Sequence, residues 1–220
     1  MKGVLFDLDG VITDTAKLHF DAWNKLIQRH FHMALPQSIV ELTKGVSRQD
    51  SLQLILKAIN QEVVSEQFDL LCKEKNQLYL RALASLTEAD ILPGITDLID
   101  GLKTDGIKLA LASASQNAPR ILQQLNLFTQ FDAIVDPTTI VHGKPAPDIY
   151  LAAAKTIDLD PHACVGIEDA ASGVTAIRDS GAVAVAVGDP VILKDADIVV
   201  SHTGALSPEL VRTAWDNFHG

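Results

Sequence analysis

Cysteine is nearly absent from this chain: of 220 residues only Cys72 and Cys164 carry a thiol. They lie far apart and outside any C-x-x-C spacing, which excludes a disulfide framework and a thiolate metal site and leaves both as small buried hydrophobes. Basic residues are also scarce, 18 Lys and Arg against 28 Asp and Glu, for a formal net charge of −10. No basic stripe is available for a nucleic-acid backbone or an anionic membrane, although a local basic pocket for a small phosphorylated ligand stays open. Long apolar runs are missing as well. The opening Val4-Leu5-Phe6 meets Asp7 and Asp9 at once, too short for the core of a signal peptide or a membrane-spanning helix, and no later stretch would span a bilayer. The expected compartment is the cytoplasm. Internal repeats and low-complexity tracts are absent.

What is present is a globular composition, 47% hydrophobic and 21% charged, with length for one main domain and a smaller insertion. Val4-Leu5-Phe6 is continuously apolar, as a strand covered on both faces of a parallel sheet would be. From Ala16 to Phe31 the residues Leu18, Ala22, Trp23, Leu26, Ile27 and Phe31 recur at helical spacing. Further helices are expected over 48–59 and 65–83, and nothing from Thr15 to Leu86 reads as a buried strand. From Pro93 onward helix and strand alternate: helix 95–102, strand 107–112, helix 118–125, strand 131–135, helix 149–157, strand 163–167, a helix to Asp179, then strands 183–187 and 198–200. Such alternation specifies an α/β fold with a doubly wound parallel sheet. The expected organisation is a core of 1–14 and 91–220 interrupted by an α-helical cap of 15–90, with Asp14-Thr15-Ala16 and the stretch 88–93 as linkers able to act as hinges.

Four nodes carry chemistry. Asp7-Leu8-Asp9-Gly10 follows the first strand directly, where α/β sheets place their ligands. Two-residue alternation lets both carboxylates face one crevice, and Gly10 lets the backbone turn sharply. Carboxylates this close repel, so one is protonated or both meet a cation. A pair of this kind suits phosphoryl transfer, with Asp7 attacking phosphorus and Asp9 exchanging a proton with the leaving and entering oxygens. A solvated acidic turn is the plain alternative.

The second node is Ser113-Ala114-Ser115, ending the strand at Ala112; its hydroxyls and amides are natural phosphate ligands, although Ser115 or Asn117 could equally just cap the next helix. The third is Lys144 in Gly143-Lys144-Pro145-Ala146-Pro147, where the prolines stiffen the approach to a helix and an ammonium could stabilise charge on the transferring group. The fourth is Glu168-Asp169, closing the strand 163–167 and supplying hard oxygen ligands of the kind Mg²⁺ prefers, or simply an acidic helix start.

Taken in order, Asp7/Asp9, Ser113, Lys144 and Glu168/Asp169 resemble the four motifs of the haloacid dehalogenase superfamily of phosphotransferases. The resemblance covers essentially the whole chain. It implies a Rossmann-like core with a movable cap, Asp7 as nucleophile, Ser113 and Lys144 as catalytic partners, and one Mg²⁺ per subunit held by Asp7, Asp9 through its backbone carbonyl, Glu168 and Asp169.

Those motifs do not separate a phosphatase from a mutase. In Gly10-Val11-Ile12-Thr13-Asp14-Thr15-Ala16, His19-Phe20-Asp21-Ala22-Trp23, Lys44-Gly45-Val46-Ser47-Arg48-Gln49-Asp50-Ser51-Leu52, Ala112-Ser113-Ala114-Ser115 and Lys144-Pro145-Ala146-Pro147-Asp148 the chain resembles the β-phosphoglucomutase branch of the superfamily. The reaction that implies is β-D-glucose 1-phosphate to glucose 6-phosphate through the 1,6-bisphosphate. The resemblance makes Thr15 part of the hinge and puts His19, Lys75 and Trp23 near the sugar. It gives Arg48 the phosphate not being transferred, assisted by Ser115 and Asn117, counts Ala114 among the substrate-binding residues, and lines the sugar site with Lys44, Gly45, Val46 and Ser51. From the residues alone, His19 is equally a structural histidine, Arg48 a solvated helix-start charge and Trp23 plain core. Gln116 and Ala170 depart from the branch's pattern. The expected partners are small sugar phosphates, with no nucleic acid or membrane, and the expected state is a monomer; a sugar-phosphate phosphatase and a non-catalytic sugar-phosphate sensor are the competing readings.

Overall fold

Strand β1, Gly3–Phe6, lies at the middle of a six-stranded, all-parallel sheet in a computed structural model describing residues 1–219, with Glu41 described by its backbone alone. On one side it pairs with β2 (Lys108–Leu111), beyond which lies β3 (Ala133–Ile134). On the other it pairs with β4 (Cys164–Glu168), followed by β5 (Val183–Val187) and β6 (Ile198–Val200). Every residue of β1, β4 and β5 is buried, as both faces of a parallel sheet must be, and this is why these strands read as unbroken apolar runs. The order 3-2-1-4-5-6 reverses direction between β1 and β4. The carboxyl ends of those two strands therefore flank the switch point where α/β sheets bind ligands.

The chain divides into two compact units, Met1–Asp14 with Thr87 onward, and Thr15–Leu86. The smaller unit consists of α1 (Ala16–Phe31), α2 (Ile39–Leu42), α3 (Arg48–Ala58) and α4 (Ser65–Leu83). Its core joins Trp23, Leu26 and Ile27 of α1 to Leu52, Ile55 and Leu56 of α3 and to Leu71 and Cys72 of α4. Each such side chain contributes on the order of 1.5–3 kcal/mol when fully buried. α3 starts on Ser47, whose Oγ accepts the Asp50 N–H at 3.2 Å.

The return to the larger unit falls between Leu86 and Thr87, ahead of the 90/91 crossing expected from sequence. Thr87 donates its N–H to Asp90 Oδ2 at 2.7 Å, closing a capping box. Thr13 Oγ1 then donates to the Asp90 carbonyl at 2.8 Å, and Leu92 N–H donates to the Ile12 carbonyl at 2.9 Å.

Around the sheet lie α5 (Ile95–Thr104), α6 (Ala118–Gln124), α7 (Asp148–Thr156), α8 (Ala171–Ser180) and α9 (Pro208–His219). Ile149, Tyr150 and Ala153 of α7 and Ile177 of α8 pack onto Leu5, Ala110 and Ala184 of the sheet, while α5 packs on β2 and α9 on β4 and β5. The sequence expectation did not include α9. The strand expected over 131–135 shortens to Ala133–Ile134 because the Asp132 carboxylate, not a main-chain carbonyl, takes the Leu109 N–H at 2.8 Å. No helix among the described residues is long and apolar enough to cross a membrane.

Candidate active site

Asp7 follows β1 and is held by its N–H to the Ile167 carbonyl at 3.0 Å. Asp7 is 3% exposed, and its carboxylate accepts from Lys144 Nζ at 2.8 Å through Oδ1. Lys144 stands on a loop ahead of α7, with a cis peptide bond to Pro145, and its ammonium also donates to Glu168 Oε1 at 2.6 Å. Glu168, the last residue of β4, turns Oε2 to the N–H groups of Asp169 at 2.6 Å and Ala170 at 2.9 Å. The acidic pair thus splits its tasks: Glu168 grips Lys144 and the start of α8, and Asp169 is directed toward the turn at Gly10.

Two glycines make room for this. Gly10 has φ +78°, and a Cβ there would lie 1.7 Å from Asp169 Oδ2; a Cβ on Gly173 would lie 1.8 Å from Glu168 Oε1. Neither position tolerates a side chain without displacing a carboxylate.

Carboxylate oxygens of Asp7, Glu168 and Asp169 lie within 4.8 Å of one another. Burial pushes the Asp7 carboxyl well above the usual carboxylate range; Lys144 opposes this, and Glu168 and Asp9 reinforce it. Burial also works against the Lys144 ammonium, yet the Asp7 and Glu168 carboxylates hold it well above the ordinary lysine value. One ammonium shared by two acids leaves the cluster with excess negative charge, and its donors are all hard oxygens, so the residues fit a divalent cation. The Asp9 side chain is outside the three-carboxylate group.

Beyond β2, Ser113 is 3% exposed and its Oγ accepts the Ser115 N–H at 3.2 Å. Ser115 Oγ in turn accepts the Asn117 N–H at 3.3 Å. Asn117 occupies the N-cap position of α6 without a side-chain cap bond. Ala114 is half-buried in this turn and Gln116 is exposed. β1, β2 and β4 are adjacent, so Asp7, Ser113 and Glu168 issue from neighbouring carboxyl ends.

The smaller unit gathers its own set. Lys75 is 2% exposed, and its Nζ lies 2.7 Å from His19 Nδ1, 4.9 Å from the Trp23 ring centroid and 4.7 Å from that of Tyr79. Burial, then Lys75 and Arg48, hold the His19 imidazole well below 6.5. Arg48 opens α3, half-buried, with burial lowering its guanidinium from the ordinary value. Ser51 is buried with its hydroxyl donated to the Ser47 carbonyl at 2.8 Å. Lys44, Gly45 and Val46 form the half-buried turn before α3, with Gly45 at φ +71°. Thr15, wholly buried, shares a 2.8 Å hydrogen bond with Tyr79 Oη.

Residues 1–181 match the profile of haloacid dehalogenase-like hydrolases. The chain belongs to that family. It is 44% identical over 220 residues to the β-phosphoglucomutase of Bacillus subtilis (strain 168), covering 99% of this chain and 97% of that protein. A crystal structure of β-phosphoglucomutase from Clostridium difficile has the same fold, with a TM-score of 0.97 at 37% identity, covering 100% of this chain and 99% of that one. A phosphorylated carbohydrates phosphatase of Thermotoga maritima is 29% identical over 183 residues, 82% of either chain.

In this haloacid dehalogenase-like chain, sequence reasoning passed over two buried tyrosines. Tyr150 lies beneath Lys144, with the ammonium 5.1 Å from its ring centroid. Tyr79 lies on α4 four residues after Lys75, a spacing that places both on one helix face and could have drawn notice.

Proposed function

We propose that the chain is a β-phosphoglucomutase, an isomerase interconverting β-D-glucose 1-phosphate and glucose 6-phosphate through β-D-glucose 1,6-bisphosphate. The observation that carries the chemistry is the placing of Asp7 at the sheet's switch point, bonded to Lys144 beside Glu168 and Asp169. Asp7 attacks the phosphorus of a bound sugar phosphate, forming a carboxylate O–P bond as the bond to the sugar oxygen breaks. Asp9 gives its proton to that departing oxygen. In the second half it withdraws one from the hydroxyl that accepts the phosphoryl group, so no proton is gained or lost over the cycle.

Lys144 neutralises charge on Asp7 and on the equatorial phosphoryl oxygens, while the Ser113 hydroxyl donates to the same group. Asp7, Asp169, Glu168 and the Asp9 carbonyl would hold Mg²⁺, which supplies further neutralisation of the transferring group when bound. The smaller unit serves the rest of the substrate. Arg48 grips the second phosphate with its planar fork, and Ser115, Asn117 and Ala114 are the substrate-binding residues of the larger unit. His19, Lys75, Trp23, Ser51 and the Lys44-Gly45-Val46 turn address the sugar, and Thr15 serves as hinge. Similarity to a mutase over 99% of the chain, the helical unit included, favours transfer to a sugar hydroxyl over transfer to water.

The test is a coupled assay with Mg²⁺, β-glucose 1-phosphate and a trace of the 1,6-bisphosphate, following glucose 6-phosphate and free phosphate together. Fast glucose 6-phosphate with little free phosphate is expected. Dominant free phosphate would make the chain a sugar-phosphate phosphatase, and failure to trap trifluoroberyllate on Asp7 would leave it a sensor.

A further inference from the structure

Tyr79 is fully buried on α4 and touches the hinge residue Thr15 together with His19 and Lys75, assigned above to the sugar. Its hydroxyl lies 2.8 Å from Thr15 Oγ1, its ring centroid 4.0 Å from that of His19, and the Lys75 ammonium 4.7 Å from its ring centroid. An ammonium is attracted to an aromatic face, more strongly when desolvated, and Lys75 lies against two of them. The ammonium has donors only, so in the 2.7 Å contact His19 Nδ1 accepts. The neutral imidazole then carries its proton on Nε2. That nitrogen is buried and has no hydrogen-bond partner among the described residues, and a buried donor left unpaired costs free energy unless a bound group meets it.

We propose that Tyr79 is a positioning residue: it holds Lys75 against His19 Nδ1 and anchors the Thr15 hydroxyl, so that the His19 Nε2–H is presented in one tautomer to an oxygen of the bound sugar phosphate. The identity of that acceptor rests on the mutase reading; the clamp on His19 does not.

The experiment compares full-length wild type, Tyr79→Phe and Tyr79→Leu, each checked for folding by circular dichroism. Long-range ¹H–¹⁵N spectra of labelled histidine report the His19 tautomer, and the coupled assay reports kcat and KM. Wild type should show the Nε2–H pattern. Tyr79→Phe, which keeps the ring, should retain that pattern while kcat falls roughly tenfold with little change in KM, because Thr15 loses its anchor. Tyr79→Leu should mix the tautomers and lower kcat by roughly 100-fold, as an ångström of misplacement does.

A His19 pattern unchanged in Tyr79→Leu, with kcat within about twofold of wild type in both variants, overturns the proposal. Were Tyr79→Leu to unfold, kcat of the Phe variant decides. Were wild type to lack mutase turnover, the functional reading would fall while the His19 spectra still judge Tyr79.

Discussion

Lys144 Nζ and Asp7 Oδ1, 137 residues apart in sequence, lie 2.8 Å from each other with both side chains almost wholly out of solvent. Removing one partner of such a pair strands the other as an uncompensated buried charge, at a cost of about 3–5 kcal/mol. Lys144→Ala should therefore lower the urea midpoint markedly and reduce kcat by roughly 10²–10³. A stability and a turnover both close to wild type would remove Lys144 from the charge network.

Asp7→Asn should abolish turnover, because an amide does not attack phosphorus as a carboxylate does. Asp9→Asn should leave substrate affinity largely intact while slowing transfer by roughly 10²–10⁴, the usual worth of general acid–base catalysis. Rapid-quench measurement of the phosphorylated protein separates the two. Near-normal activity in the Asp7 variant would sink the scheme.

Gly→Ala inside a helix ordinarily stabilises by about 0.5–1 kcal/mol. At Gly173 of α8 the opposite is expected. The new Cβ would fall 1.8 Å from Glu168 Oε1, and Glu168 cannot swing aside without releasing Lys144 and the N–H groups of Asp169 and Ala170. Thermal unfolding of Gly173→Ala should show a lower Tm with activity lost in parallel; a raised Tm would mean Glu168 is less constrained than its contacts indicate.

Burial and the Lys75 and Arg48 charges hold His19 well below 6.5 in the folded state, whereas an unfolded histidine titrates near 6.5. Between those values the unfolded chain binds the extra proton, so stability from His19 is fully present above about pH 6.5 and is lost as pH falls toward the folded value. Urea midpoints at pH 7.5 and 5.5 should drop more for wild type than for His19→Gln. Equal drops would mean that His19 protonates without penalty in the fold.

Arg48→Ala should chiefly impair mutase turnover, raising KM for the bisphosphate, since that substrate presents a second phosphate to a planar guanidinium. Phosphorylation of Asp7 by a small phosphoryl donor should persist. An unchanged KM for the bisphosphate would take Arg48 out of the phosphate site.

Most of the fold was legible locally. The unbroken apolar runs of β1, β4 and β5 and the helical stripe of α1 are carried by adjacent residues, so the sequence pattern and the observed elements agree. β3 and α9 were less visible. The first is cut short by one aspartate side chain replacing a main-chain acceptor, and in the second Val211 and Ala214 supply the buried positions, too sparse a stripe to register. The acids and Lys144 were legible as types at strand ends, but their division of labour was not. That Glu168 holds Lys144 while Asp169 approaches Gly10 depends on which strands are neighbours. Tyr79 escaped notice because a lone buried tyrosine reads as core until its hydroxyl and ring contacts are known.

By itself the sequence determined the parallel α/β core, the helical segment inserted after Asp14, and the four polar nodes that end or follow strands. These are local facts of periodicity and punctuation, carried by residues a few positions apart. Only the tertiary structure decided that β4, not β2 alone, lies beside β1, which brings residues 7, 144 and 168 into one buried charge network. It also decided that Lys75, His19, Trp23 and Tyr79 share one cluster across α1 and α4. Sheet order and helix packing are set by the closing of long loops around a common core, and no short window of sequence encodes them.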